Sequence, residues 1–187
     1  MKVIQLFKNE ANLIKRAGGN NREAQRQLYE KHSPKMLSVC RQYIKDLQQA
    51  EEVMLSGFLK VFNHLDDFRN DGSFEGWIRR IMVRECISFL RTRKNVEFGE
   101  EDMTVYGETV DSINEELNAE HIQKLIDSLP EGYKMVFVLY AVEGYKHQEI
   151  AKMLKITEGT SKSQLFKARK MLQEKLRLEN VTGYGTN

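Results

Sequence analysis

The sequence predicts an all-α protein made of two small helical domains joined by an acidic linker, and three observations predict it. Only two prolines interrupt 187 residues rich in Leu, Lys, Glu, Gln and Arg, types that enter a helix at little cost. From Tyr145 to Leu176 the chain carries the pattern of a helix-turn-helix. Between Glu97 and Glu120 stand nine acidic side chains and no basic one, with Gly99 and Gly107 and no sustained apolar period before about Asp111. The boundaries that follow are a first domain over 1–95, a linker over 96–111 and a second domain over 112–180.

The elements follow in order. Glu10 to Ala17 reads as a short amphipathic helix closed by Gly18-Gly19. Asn20 or Asn21 caps a second helix running to His32. Ser33-Pro34 then restarts the chain into a third, with Met36, Leu37, Cys40, Tyr43 and Ile44 facing inward. Asp46 opens a longer helix to about Leu65, whose apolar set includes Ala50, Val53, Met54, Phe58, Val61 and Phe62. Asp66 to Ser73 has turn chemistry, and Phe74 to about Thr92 is helical again. Past the linker, helices resume at Ser112 and run through Leu125-Ile126 to a break at Leu129-Pro130. The apolar run Met135 to Val142, between Pro130 and Gly144, fits a strand or a buried helix by periodicity. Its place just before the helix-turn-helix favours a core helix. Gly183 to Asn187 is expected to fray.

Within the helix-turn-helix, Gln148 to Leu154 offers Ile150, Ala151 and Leu154 to a partner helix, and Thr157 is suited to cap that partner. At roughly 100° per residue, Ser161, Leu165, Ala168 and Leu172 fall on one stripe of the second helix. Lys162, Ser163, Phe166, Lys167 and Lys170 fall largely on the other. An ordinary amphipathic hairpin with solvating lysines would share the period but would carry mixed charge. Gly159 to Leu178 instead holds six Lys/Arg and one Glu. A short helix, a turn of about three residues and a basic helix is the geometry that enters a major groove. The segment reads as DNA-binding.

The helix from Phe74 carries a second basic pattern. Arg80, Arg84 and Arg91 lie within about 40° of one another on the wheel, flanked by Trp77 and Ser88. The rest of the circumference is mostly apolar, including Ile78, Met82, Val83, Cys86 and Leu90. Trp77 taken alone is better read as a core residue, and one arginine as a solvated charge. Three arginines on one stripe, with Arg93-Lys94 after them, suit phosphates beside partly unwound DNA whose exposed bases stack. Trp77 to Lys94 holds six basic side chains and one acidic, so the net charge of +2 conceals two basic modules around an acidic strip.

Composition excludes other classes. Hydrophobic content of 41% and charged content of 30% exclude global disorder. Cys40 and Cys86 lack a Cys-x-x-Cys spacing and read as reduced, buried thiols of a cytosolic protein. His32, His64, His121 and His147 are scattered, so no metal site is expected. No Gly-rich phosphate loop or nucleophile–base pairing appears, so neither an enzyme nor a cofactor is expected. The opening residues are too polar for a signal peptide, and no apolar run approaches the ~18 residues that span a bilayer, so no membrane insertion is expected.

Taken together, Leu13 to Leu178 resembles the extracytoplasmic-function sigma factors of bacterial RNA polymerase. Ala50-Glu51-Glu52-Val53 with Phe58-Leu59-Lys60-Val61-Phe62 looks like that family's core-binding helix, region 2.2. Phe74-Glu75-Gly76-Trp77-Ile78-Arg79-Arg80-Ile81 with Leu90-Arg91 looks like its helix for melting and −10 recognition. Leu129-Pro130, Glu143-Gly144, Glu149-Ile150-Ala151, Glu158-Gly159-Thr160, Lys162-Ser163 and Lys167-Ala168-Arg169 resemble region 4, which reads the −35 element.

The resemblance implies a promoter-specificity subunit that docks on core RNA polymerase, acts in the cytoplasm and answers to an anti-sigma factor. Glu51, Glu52, Phe58 and Lys60 would lie at or under the polymerase interface. Arg80, Arg84, Ser88 and Arg91 would line the single-stranded −10 path, with Asn70, Asp71 and Ser73 bonding a flipped base. Lys162, Ser163, Phe166 and Lys167 would meet the double-stranded −35 element.

Departures from the family pattern are informative. Leu55-Ser56 stands where Gln-Glu is usual, which thins the polar core-binding surface. Arg84 and Ser88 replace a frequent Asn and Asp, which predicts an unusual −10 preference. Lys155 replaces a common turn Gly and Ser161 a buried apolar residue, which predicts a looser helix-turn-helix, while Gln164 replaces an Arg and removes a phosphate contact. Two other classes compete. A stand-alone helix-turn-helix regulator with an N-terminal sensing or dimerisation domain leaves the arginine stripe unexplained. A helical scaffold that touches no DNA leaves both basic faces unexplained.

Overall fold

Short polar side chains start the helices. Asn21 accepts the Ala24 N–H at 2.9 Å, Asp46 the Gln49 N–H at 2.9 Å, Ser73 the Gly76 N–H at 3.0 Å and Thr157 the Thr160 N–H at 3.0 Å. Each satisfies an amide that would otherwise have no partner in its helix. The computed structural model describes residues 2–69, 71–94 and 119–183. The linker expected over 96–111, the resumption of helix at Ser112 and all but the first residue of the tail Gly183 to Asn187 lie outside the described residues, as does Asn70. The chain divides into two compact units, Met1–Lys94 and Asn95–Asn187, and no strand occurs among the described residues.

The first unit holds α1 (Lys2–Gly18), α2 (Arg22–Tyr43), α3 (Leu47–Asn63), a 3-10 turn (Leu65–Asp67) and α4 (Phe74–Lys94). Two expectations are corrected here. α1 begins at Lys2 rather than near Glu10, and α2 is one helix that runs through Pro34 rather than two that meet there. The reason is burial. Leu28, His32, Met36, Val39, Cys40 and Tyr43 form one buried stripe across the proline, which sits exposed on the opposite face. A proline inside a helix costs about 3 kcal/mol, whereas burying each such large apolar side chain is worth about 1.5–3 kcal/mol. A restart would turn half the stripe out of register.

α3 packs closely on α4 because Gly57 has no side chain. A Cβ there would come within 2.9 Å of Cε of the fully buried Met82. The Lys60 ammonium fixes the same pair of helices by bonding Glu85 at 2.7 Å. Phe68, Phe74 and Trp77 form an aromatic cluster with centroids 5.2–5.8 Å apart at the entrance to α4.

The second unit holds α5 (Ala119–Asp127), α6 (Glu131–Phe137), α7 (His147–Leu154) and α8 (Glu158–Gly183). The apolar run from Met135 is helical, as its position predicts, and Met135, Val136, Val138 and Leu139 are all at most 1% exposed. It leaves α6 through a π-helical turn, Val138–Val142, in which the Glu143 N–H reaches the Val138 carbonyl at 3.0 Å. Gly144, at φ +77, then reverses the chain into α7. Leu129 and Tyr133 pack with Ala168 in the core. The buried Lys134 ammonium bonds Asp127 at 2.6 Å, so two charges that would each be costly alone neutralise one another.

Candidate nucleic-acid interface

The helix-turn-helix is built as its sequence prescribes, with one backbone exception. α7 ends at Lys155, whose φ of 58° and ψ of 43° place a non-glycine residue in the left-handed region. That conformation lets the N–H groups of Lys155 and Ile156 both close on the Ala151 carbonyl. It costs an L-residue about 1–2 kcal/mol. Thr157 then caps α8, the role its hydroxyl predicts.

The inner face of α8 contains the expected stripe. Ser161, Leu165 and Ala168 are buried and Leu172 is half-buried. Ser161, for all its polarity, is fully buried and has a partner there. Its hydroxyl lies 2.9 Å from Nδ1 of His147, a polar tie between α7 and α8 in place of an apolar contact. Gln164 is likewise no diminished surface contact, because it is buried and fills the space beside Gly132 of α6.

On the outer face Lys162, Ser163, Phe166, Lys167 and Lys170 are all exposed. Phe166 is 71% exposed, a large apolar ring held in water among lysines. Several cations are already steadied. Lys162 bonds Glu158 at 2.7 Å, and Lys170 lies 3.9 Å from Glu174. Lys167 lies 5.8 Å from the Tyr133 centroid, and Arg169 5.6 Å from that of Tyr140, which stacks on His147. Lys162 draws the Glu158 carboxyl below the usual carboxylate range by hydrogen bond and charge.

α4 presents the second basic face. Arg80, Arg84 and Ser88 are exposed and Arg91 is half-buried, so the predicted stripe is on the surface. Trp77 beside it is half-buried in the aromatic cluster, between the core and stacking roles the sequence offers. Of the three residues predicted to hold a flipped base, Asp71 is exposed and Ser73 is engaged as the α4 cap. Asn70 lies outside the described residues.

The α3 surface adds most to what the sequence offers. Glu51 and Glu52 are exposed, but Phe58 is 3% exposed and sits between Tyr29 and Phe62, so it supports the surface from beneath and cannot touch a partner. Lys60 is engaged by Glu85. Leu47, Leu55 and Leu59 also face outward, exposed by 55%, 49% and 66%; the sequence placed Leu55 on this surface as a departure but gave Leu47 and Leu59 no site role of their own. With Glu51 they form one i, i+4 ridge. The available signal was the replacement of a usual glutamine by Leu55.

Two basic helical faces on separate all-α units, one of them a helix-turn-helix, define a two-module DNA-binding protein. Comparison with known proteins makes the class specific. Residues 28–96 match the Sigma-70 region 2 family, and residues 119–172 match Sigma-70, region 4. The RNA polymerase sigma-H factor of Pseudomonas aeruginosa is 26% identical over 88% of this chain and 92% of its own. The ECF RNA polymerase sigma-E factor of Escherichia coli is 25% identical over 88% of this chain and 92% of its own.

Among solved structures, the sigma factor RpoE from Bartonella quintana, crystallised with the anti-sigma factor NepR, superposes with a TM-score of 0.53 at 20% identity. It covers 81% of this chain and 96% of that one. CnrH in complex with the cytosolic domain of CnrY superposes with a TM-score of 0.50 at 21% identity over 89% of this chain and 96% of its own. These two similarities speak for the fold. The chain belongs to the sigma-70 family as an extracytoplasmic-function sigma factor, a transcription initiation factor and not an enzyme. The region 2 match disfavours the alternative of a stand-alone helix-turn-helix regulator. No helix among the described residues is long and apolar enough to cross a membrane.

Proposed function

We propose a division of labour among three faces. The outward ridge of α3, with Glu51 and Glu52 beside Leu55 and Leu59, docks on core RNA polymerase. Arg80, Arg84, Ser88 and Arg91 on α4 track the single-stranded −10 segment, and Asp71, with Asn70 and Ser73, meets a flipped base. Lys162, Ser163, Phe166 and Lys167 on α8 read the −35 duplex, the lysines holding phosphates and the other two reaching base edges. Residues 96–111 link the units, and the protein works in the cytoplasm. The two solved neighbours are held by an anti-sigma factor and by the CnrY cytosolic domain, which supports an anti-sigma partner for this chain as well.

The observation that carries the −35 assignment is Phe166, 71% exposed between Lys162 and Lys170. An aromatic ring held in water on a basic helix gains most by entering a groove, where a thymine methyl offers apolar contact. Run-off transcription from a genomic library with core polymerase, with and without the protein, recovers its promoters, and duplexes carrying them are the probe for binding. Lys162→Ala and Lys167→Ala should each weaken duplex binding and make its salt dependence shallower by about 0.9 for each phosphate no longer neutralised. Ser163→Ala and Phe166→Ala should instead change which −35 base is preferred. Unchanged binding and unchanged base preference in all four variants would remove α8 from the interface.

A further inference from the structure

The geometry points to Lys155 as an additional DNA-backbone contact, placed in the turn of the helix-turn-helix and kept there against the local cost of its conformation. The inference rests on the reading of α8 as the duplex-binding helix.

Its first support is the backbone. Among the described residues only Asn20 and Lys155 are non-glycine residues at positive φ, both at 58°. Asparagine tolerates the left-handed region because its short amide can bond locally, whereas lysine has no such compensation. Glycine, usual at this turn in the resembling family, would adopt the same geometry without the Cβ penalty. Strain retained where an unstrained residue fits is a pointer to function.

The second support is the charge. Lys155 is exposed, and no carboxylate pairs with its ammonium among the described residues, whereas Lys162 and Lys170 each face a glutamate of α8. The third is position. Lys155 lies two residues before Thr157, which caps α8, so it stands at the end of that helix expected to enter the groove. Two residues of chain reach at most about 7 Å, and a lysine adds several more, enough to meet the phosphate wall as the helix seats. Gln164, where a cation is usual in the family, is buried against Gly132 and cannot contribute.

One other account fits a cation here. A lysine at the C-terminus of α7 also complements that helix's dipole. Binding and stability readouts separate the two. Duplex affinity of the full chain is measured by fluorescence anisotropy across a salt series on a promoter duplex recovered by run-off transcription, alongside thermal midpoints. Lys155→Gly should raise the midpoint, flatten the log–log salt slope by about 0.9 and weaken binding roughly five- to ten-fold at about 0.1 M salt.

Lys155→Gln, which keeps the backbone cost without the charge, should show the same weakened binding and no rise in midpoint. Lys155→Arg should keep the wild-type slope. A wild-type slope and affinity in Lys155→Gln would overturn the inference even if Lys155→Gly binds less well, because the turn's rigidity would then explain the difference. Lys162→Ala measured in parallel distinguishes the two levels. If it and the Ser163→Ala, Phe166→Ala and Lys167→Ala variants all bind normally with unchanged base preference, the docking of α8 fails and the role of Lys155 with it. If Lys162→Ala binds weakly while both neutral Lys155 variants bind normally, only the role of Lys155 fails.

Discussion

His32 couples three parts of the first unit. It is 5% exposed, its Nε2 lies 3.0 Å from the Glu10 carboxylate of α1, and its ring meets Phe74 edge-on at 5.6 Å. Phe74 in turn touches Phe68 and Trp77, the aromatic residues at the entrance to the arginine-bearing helix. Burial holds the imidazole below its ordinary value of about 6.5, with Lys31 adding to the effect and Glu10 and Glu75 opposing it. At neutral pH the ring is therefore uncharged. Burial pushes Glu10 upward, but bonds and charge from Lys31 and His32 outweigh it and leave the carboxyl below its ordinary range.

Acid therefore destabilises the first unit. As pH falls through about 6.5 the unfolded chain takes up a proton that the folded His32 resists, so stability is full above that value and declines below it. Glu10 acts in the same direction below about 4.5, where its unfolded carboxyl protonates first. The thermal midpoint of the first unit should drop between pH 7.5 and 5.5, and His32→Gln should flatten that dependence. An equally steep profile in the variant would assign the acid sensitivity to other groups.

α3 shows at the scale of an element what a sequence discloses and what it hides. Its start at Asp46, its buried set and its end near Leu65 follow from capping and period. Its outward ridge is only partly legible, because Leu55 stands out as a departure from a usual glutamine whereas nothing in the period marks Leu47 and Leu59 as exposed. Leu47, Leu55 and Leu59 are nonetheless exposed, while Val53, Phe58 and Val61 of the same helix are buried. A single exposed leucine is unremarkable, whereas three on one i, i+4 ridge with Glu51 are the apolar surface on which the proposed docking rests.

The same limit applies elsewhere. Pro34 reads as a break because the proline is local and the buried stripe that overrides it spans four turns. The π-helical turn leaves no trace in composition. The Lys134–Asp127 pair joins two helices across Leu129-Pro130, where charge spacing along the chain gives no warning. By contrast, the α8 stripe, the Thr157 cap and the arginine face of α4 are legible, since each depends only on period or on capping chemistry. Leu55→Ser with Leu59→Ser should leave helical content unchanged and cost the free protein within about 0.5 kcal/mol per site, as surface changes do. Core polymerase affinity should fall about ten-fold or more, since a leucine buried at an interface is worth about 1.5–3 kcal/mol. Normal docking by the double variant would move the polymerase contact off this ridge.

For the molecule as a whole, a net charge of +2 describes neither basic surface. Each unit carries its own field: the α4 stripe of Arg80, Arg84 and Arg91 in one, and the exposed lysines of α8 in the other. A chain with two such faces can divide promoter recognition into steps that fail separately, one on intact duplex and one on opened strands. On the proposed reading, duplex capture depends on phosphate contacts and groove entry by α8. Strand opening depends on a surface that favours unpaired bases over paired ones, which arginines beside half-buried aromatic rings are suited to provide.

The two steps have different readouts in the holoenzyme. Arg80→Ala and Arg84→Ala should leave binding to a −35 duplex nearly unchanged and reduce permanganate reactivity of thymines in the opened segment. Lys162→Ala should weaken promoter capture, yet leave opening intact on a template whose −10 segment is already mismatched. If the arginine variants failed to bind the −35 duplex and opened strands normally, the duplex-reading surface would belong to the first unit and the roles of the two faces would be exchanged. If both sets impaired both steps equally, the division between α4 and α8 would be wrong, and the two basic surfaces would act as one electrostatic attraction rather than as separate readers.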